Sequence, residues 1–110
     1  MNQDFGVAII GCGKWGINHV RTAHQLLGGR LKMVCDISDK SLAQAKTVAP
    51  SVATTKALSD ILSNPEIGAV VIASGAETHH EIGKRCLEAG KHCLIEKPLT
   101  LKSGEALDLI

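Results

Sequence analysis

Gly11-Cys12-Gly13-Lys14-Trp15-Gly16 has the spacing G-x-G-x-x-G and directly follows a short apolar run at residues 7–10. Each glycine has its own physical reason. Gly11 lets the chain turn tightly as it leaves a strand, Gly13 lets a pyrophosphate approach the backbone, and Gly16 lets the following helix pack close to the sheet. The start of that helix offers unpaired N–H groups and a partial positive charge, which suit a pyrophosphate. Asp36 stands twenty residues beyond Gly16, at the end of the next apolar run. A carboxylate there can accept hydrogen bonds from both ribose hydroxyls of an adenosine and would repel a 2′-phosphate. Ile37 rather than an arginine follows it, so NAD is favoured over NADP. Lys40 is a counter-signal, because it is near enough to the turn to help bind a phosphate. The alternative for the glycines is a purely structural turn, and for Asp36 a solvated strand end. Lys14 and Trp15 fill variable positions of the motif and are candidate cofactor contacts. Lys14 can add charge near phosphate, and Trp15 can cover the first helical turn. Cys12 lies where a helix dipole can lower a thiol pKa, but a catalytic thiol also needs a base, and none is implied.

These residues need a strand before the turn and a helix after it, and the pattern supplies both. Residues 7–10 are short, β-rich and unbroken, as in a strand buried on both faces of a parallel sheet. Ile17, Val20 and Leu27 mark one face of a helix that Gly28-Gly29 ends. Residues 31–35 form a second buried strand. Ser38 can cap a helix to about Val48, before Pro50. Residues 52–54 are a weak third strand, and Leu58, Ile61 and Leu62 sit on a short helix ending before Asn64-Pro65. Residues 69–73 read as the strongest central strand. Thr78 with Glu81 has capping-box spacing, opening a helix that turns Ile82, Cys86 and Leu87 inward and stops at Gly90. Residues 93–95 are a fifth strand, and Thr100 can cap a last helix. Five strands alternating with helices imply right-handed crossovers and a doubly wound parallel α/β sheet, Rossmann-like, in the order 3-2-1-4-5.

Composition removes other classes. Lys plus Arg number 12 and Asp plus Glu 11, so the charge is +1 and there is no basic excess for a nucleic-acid backbone. Phe5 and Trp15 are too few for a base-stacking platform. Apolar runs of four or five residues do not reach the about 20 of a membrane span. The N-terminus lacks a signal-peptide pattern. The four cysteines form no C-x-x-C pair and no zinc spacing, so the reading is a reduced cytoplasmic protein with no metal site.

The second half carries a resemblance. Thr78-His79-His80-Glu81, then Ala89-Gly90-Lys91-His92 leading into a strand and Glu96-Lys97-Pro98 closing it, together with the glycine turn and Asp36, resemble the Gfo/Idh/MocA family over essentially the whole chain. One departure is the loop Ser74-Gly75-Ala76-Glu77-Thr78-His79, which lacks the proline the family often has there. The resemblance implies an NAD-dependent oxidoreductase moving a hydride to or from a CH–OH group of a sugar, cyclitol or sugar derivative. It implies a catalytic Lys97 near the nicotinamide, whose ammonium can hydrogen-bond the substrate hydroxyl or the developing alkoxide. Glu96 would orient Lys97, and Pro98 would fix the chain direction. Ser74, at a strand end, and His79, which aligns with the family histidine, would border the cofactor. For His79 a packed or capping role is an equal alternative.

In that family a second, C-terminal α/β domain supplies the other wall of the site, usually with a histidine as acid/base, and resembles a dimerisation platform. Residues 1–110 are therefore expected to be the NAD(P)-binding domain of a longer two-domain enzyme, a homo-oligomer through the second domain. The unfinished apolar period at Leu107-Asp108-Leu109-Ile110 fits the same expectation, since helix-stop signals are absent. Alone, such a fragment would at best bind NAD. The rival reading is a non-catalytic NAD-sensing or scaffold domain, which has no need of a lysine at the nicotinamide end. A methyltransferase glycine turn would place its third glycine closer.

Overall fold

The computed structural model describes residues 5–13 and 16–95. The elements alternate: β1 (Gly6–Ile10), α1 (Gly16–Leu27), β2 (Leu31–Cys35), α2 (Asp39–Val48), β3 (Ala53–Thr55), α3 (Ser59–Leu62), β4 (Ile67–Ile72), α4 (His79–Glu88) and β5 (His92–Ile95). One-turn 3-10 segments, Gly28–Arg30 and Ala76–Thr78, lead into β2 and α4. The strands form a single sheet in the order β3-β2-β1-β4-β5, and every neighbouring pair is parallel. This is the expected doubly wound topology.

The sheet is covered on both faces because β1 is apolar at every position. Ile9 points into one core with Val34, Val20 of α1 and Leu42 and Ala45 of α2. Ala8 and Ile10 point into the other with Val70, Ile72, Ile61 of α3 and Cys86 of α4. Alternate residues of one strand thus feed opposite cores, the period-2 rule applied to a strand with helices on both sides.

The helix signals acted mostly as the pattern implied. Ser38 caps α2, its hydroxyl accepting from Ser41 N at 3.2 Å. At the end of α4, Gly90 is left-handed with φ +80°. Gly90 N donates to Leu87 O at 3.0 Å and Lys91 N to Cys86 O at 3.0 Å, the paired bonds of a Schellman stop.

Two expectations are corrected. Thr78 makes no side-chain cap to α4. Its backbone is helical, the last residue of the 3-10 turn, so its hydroxyl reaches back to Gly75 O rather than forward. Leu87 is not inward but 42% exposed, on the solvent side of α4. Gly83 takes the buried place beside His79 and Cys86. The proposed last helix from Thr100 lies outside the described residues.

Candidate functional site

The site begins where three central strands stop at one edge of the sheet. Gly11 N donates to Cys35 O at 2.8 Å, Ala73 N to Ile10 O at 2.8 Å and Asp36 N to Thr55 O at 3.1 Å. Each ladder runs one residue past its strand and then breaks into a loop. β1 lies between β2 and β4, whose connections leave it towards opposite faces, so a crevice opens at this switch point. A cleft of about 860 Å³ occupies it, and Gly11, Gly13, Asp36, Ser74, Thr78 and His79 all line its wall. The volume is in the range of small-molecule and cofactor sites.

The three glycines divide their tasks as the spacing implies. Gly11 has φ +88°, and a Cβ there would collide with the Ser74 backbone. The turn after β1 therefore touches the loop after β4. Gly16 begins α1 against the Gly11 carbonyl, which any Cβ would strike. It is buried and does not line the cleft. Gly13 differs from both: among the described residues nothing lies within 4 Å of where its Cβ would be. It faces open space at the start of the helix, and Ile17 N closes the first turn on Gly13 O at 3.0 Å. That is the shape required for a close backbone approach by a phosphate group.

Asp36 sits beside this turn, and its carboxylate is held by the main chain on both oxygens. Oδ2 accepts from Cys12 N and Oδ1 from Ser38 N, each at 2.9 Å. Sequence reasoning found Asp36 but not these tethers. The Ser38 bond follows from an Asx turn entering a capped helix, a signal that was present in the Asp-Ile-Ser order. The Cys12 bond joins the glycine turn to the end of β2 across 24 residues and has no local signature.

At Cys12 the lowering that a helix dipole could give is not what the surroundings produce. The thiol is wholly buried and lies 3.7 Å from Asp36 Oδ2. Burial first, then the neighbouring carboxylate, pushes its pKa up to about 12. The helix dipole does not lower it, because desolvation and a facing negative charge both oppose the thiolate. Cys12 is a buried core residue.

In the β4–α4 loop, His79 is 1% exposed and its Nε2 lies 2.9 Å from Ser74 O. Ser74 Oγ lies 2.7 Å from Thr78 Oγ1. The packed role of His79 and its place on the cleft wall thus coexist. Lys40 is exposed on α2 and does not line the cleft. Among the described residues the lysine and arginine that do are Lys56, paired with Asp39 at 2.9 Å, and Arg85, neither of which sequence reasoning singled out. Lys14, Trp15, Glu96, Lys97 and Pro98 lie outside the described residues. β5 ends at Ile95, two residues before Lys97 in the sequence. Among the described residues the cysteines are free, no three acidic, cysteine or histidine side chains gather in a metal-binding group, and no helix is long and apolar enough to cross a membrane.

Residues 5–110 match the family model described as an oxidoreductase family with an NAD-binding Rossmann fold. An inositol 2-dehydrogenase of Rhodococcus erythropolis is 34% identical over 99% of this chain, which spans 32% of that protein. The crystal structure of a myo-inositol 2-dehydrogenase from Lactobacillus plantarum superposes with TM-score 0.86 at 27% identity, over 97% of this chain and 32% of that one. GenD2 of gentamicin A biosynthesis, solved in complex with NAD, superposes with TM-score 0.83 at 31% identity, over 99% of this chain and 31% of that one. The chain therefore spans about a third of the length of the relatives it matches.

Proposed function

The chain belongs to the Gfo/Idh/MocA oxidoreductase family with the NAD-binding Rossmann fold, and we propose that it forms the cofactor half of a cytoplasmic NAD-dependent dehydrogenase acting on a CH–OH group of a sugar or cyclitol. The observation that carries this reading is the cleft that joins an open Gly13 to a carboxylate, Asp36, tethered by two main-chain amides. The amides around Gly13 suit the pyrophosphate. The fixed carboxylate suits the adenosine ribose diol and disfavours a 2′-phosphate, so NAD is preferred to NADP. The names of the relatives, inositol dehydrogenases among them, support a polyhydroxylated substrate.

Bound NAD supplies a hydride acceptor. In this reading Gly11, Gly13 and Gly16 shape the phosphate seat, with Lys14 and Trp15 beside it, and Asp36 orients the adenosine end. Ser74 and His79 form the wall towards the nicotinamide. Lys97 holds the substrate hydroxyl and stabilises the alkoxide as its proton leaves, and Glu96 orients Lys97. The opposing wall, the general acid/base and the homo-oligomer contact belong to a second domain.

The test is a titration with NADH that follows the emission of Trp15, the single tryptophan. Quenching that saturates with NADH and is weaker with NADPH is expected. Asp36→Ala should weaken NADH binding and narrow the difference between the two dinucleotides. No quenching and no thermal shift with either one would overturn the reading.

A further inference from the structure

The loop from Ser74 to Thr78 fixes the direction of one hydroxyl proton. Thr78 Oγ1 lies 2.6 Å from Gly75 O and 2.7 Å from Ser74 Oγ. A carbonyl oxygen only accepts, and a hydroxyl has a single proton. Were the Thr78 proton turned to Ser74, two oxygen lone pairs would face each other at the Gly75 contact. The Thr78 hydroxyl therefore donates to Gly75 O, and Ser74 must be the donor in the bond between the two side chains. The Ser74 main chain is fixed as well. Its carbonyl accepts from His79 Nε2 at 2.9 Å, and its Cα and N press against Gly11.

We propose that Thr78 is a positioning residue that turns the Ser74 proton away from the cleft, so that Ser74 meets the dinucleotide as a hydrogen-bond acceptor only. The ligand group it takes is then a donor, a ribose hydroxyl or the carboxamide N–H, and not a phosphoryl oxygen. This deepens the dinucleotide reading and rests on it. Phosphate recognition is left to the glycine turn, whose Gly11 the Ser74 main chain touches. Two neighbouring segments of the cleft wall thus differ in polarity: the start of the helix after Gly13, which favours a phosphate, and the side-chain acceptor at Ser74. A symmetric ligand such as pyrophosphate would use only the first.

The experiment is a double-mutant cycle read as NADH affinity in the protein carrying this chain. Ser74→Ala and Thr78→Val should each weaken NADH binding by about tenfold, the worth of one hydrogen bond of this kind. The double variant should be no weaker than Ser74→Ala alone, because Thr78 acts through Ser74. Thr78→Ser, which keeps the hydroxyl, should restore the affinity. Ser74→Ala should leave competition by inorganic pyrophosphate unchanged. Additive losses in the double variant, or a matching loss of pyrophosphate affinity in Ser74→Ala, overturn the inference. Ser74→Ala keeps the Thr78–Gly75 bond, so it tests the acceptor even if Thr78→Val unfolds. NADH binding that both single variants leave unchanged sinks the inference alone. Failure of the unaltered protein to bind NADH sinks the dinucleotide reading and this inference with it.

Discussion

Gly13 and Gly11 are two residues apart and should answer the same substitution in opposite ways. Gly13→Ala adds a methyl group that no described residue meets within 4 Å. Its stability should stay within about 0.5 kcal/mol of the parent, as for surface changes that touch nothing. NADH affinity should still fall, by at least about tenfold, because the methyl group stands where the phosphate backbone would come closest. Gly11→Ala must carry φ +88° and strike the Ser74 main chain, so it should lose stability by about 1–3 kcal/mol and lose binding with it. Urea unfolding and NADH titration of the two variants separate a ligand-facing glycine from a structural one. A fall in stability for Gly13→Ala equal to that of Gly11→Ala would remove the distinction. Cys12 makes a different prediction. Its pKa rises from 9.0 to about 12 on folding, and that of Cys35, also buried, rises from 9.0 to about 11. Above pH 9 the unfolded thiols release protons that the folded ones keep, so the stability they support is full below pH 9 and is lost as pH climbs towards 12. Urea midpoints measured across that window should fall, and Cys12→Ser should flatten the fall, by at most about 1.4 kcal/mol per pH unit. The positions of these residues were legible in the sequence, because spacing alone sets the order turn, helix, acid. The charge state of Cys12 was not. It depends first on burial and then on a carboxylate 24 residues away, and only the fold supplies both.

Among the elements, β2 and the start of α2 were read to the residue, because a β-rich run bounded by a cap has few alternatives. The start of α4 was misread for a physical reason. Thr78 and Glu81 have capping-box spacing, but the preceding 3-10 turn had already placed Thr78 in a helical conformation, in which its side chain cannot reach forward. The Ala89-Gly90-Lys91-His92 lead-in was legible as a motif, but the task of its lysine was not. Lys91 is 8% exposed, and its ammonium donates to Asn64 O at 2.8 Å and to Ile67 O at 2.6 Å. It therefore ties the turn before β4 to the turn before β5, at the edge of the sheet opposite the cleft. Lys91→Met keeps the length of the stem but removes both donors, leaving two carbonyl oxygens without them. The expected loss is about 2–3 kcal/mol by chemical denaturation, since hydrogen bonds to a charged group are the stronger kind. NADH affinity measured well below the unfolding midpoint should not change. A variant as stable as the parent would show that the buried ammonium gains no more from its partners than it loses in desolvation.

At the scale of the whole molecule, the described residues build one side of a site. The switch point, the glycine turn and the tethered Asp36 can hold a dinucleotide, but hydride transfer also needs a substrate fixed within near-attack distance of the nicotinamide. Relatives about three times as long as this chain have room for that second wall. Binding and turnover should therefore separate. The 110 residues should bind NADH without oxidising any polyol, and a protein with both walls should do both. Lys97 decides whether the larger protein is an enzyme of the proposed kind or a sensor of the cofactor. In an enzyme its ammonium would act on the alkoxide that develops as the hydroxyl proton leaves and that becomes the carbonyl as hydride is transferred, so its worth would lie in the transition state and not in cofactor binding. Lys97→Ala in the full-length protein should lower kcat by about 10²–10⁴-fold, the usual contribution of a placed acid or base, with the NADH dissociation constant little changed. Steady-state rates on inositols and sugars, paired with a direct NADH titration of the same variant, measure the two quantities independently. An unaltered kcat would remove Lys97 from the chemistry. A collapse of NADH affinity equal to the loss in rate would make it a cofactor ligand instead.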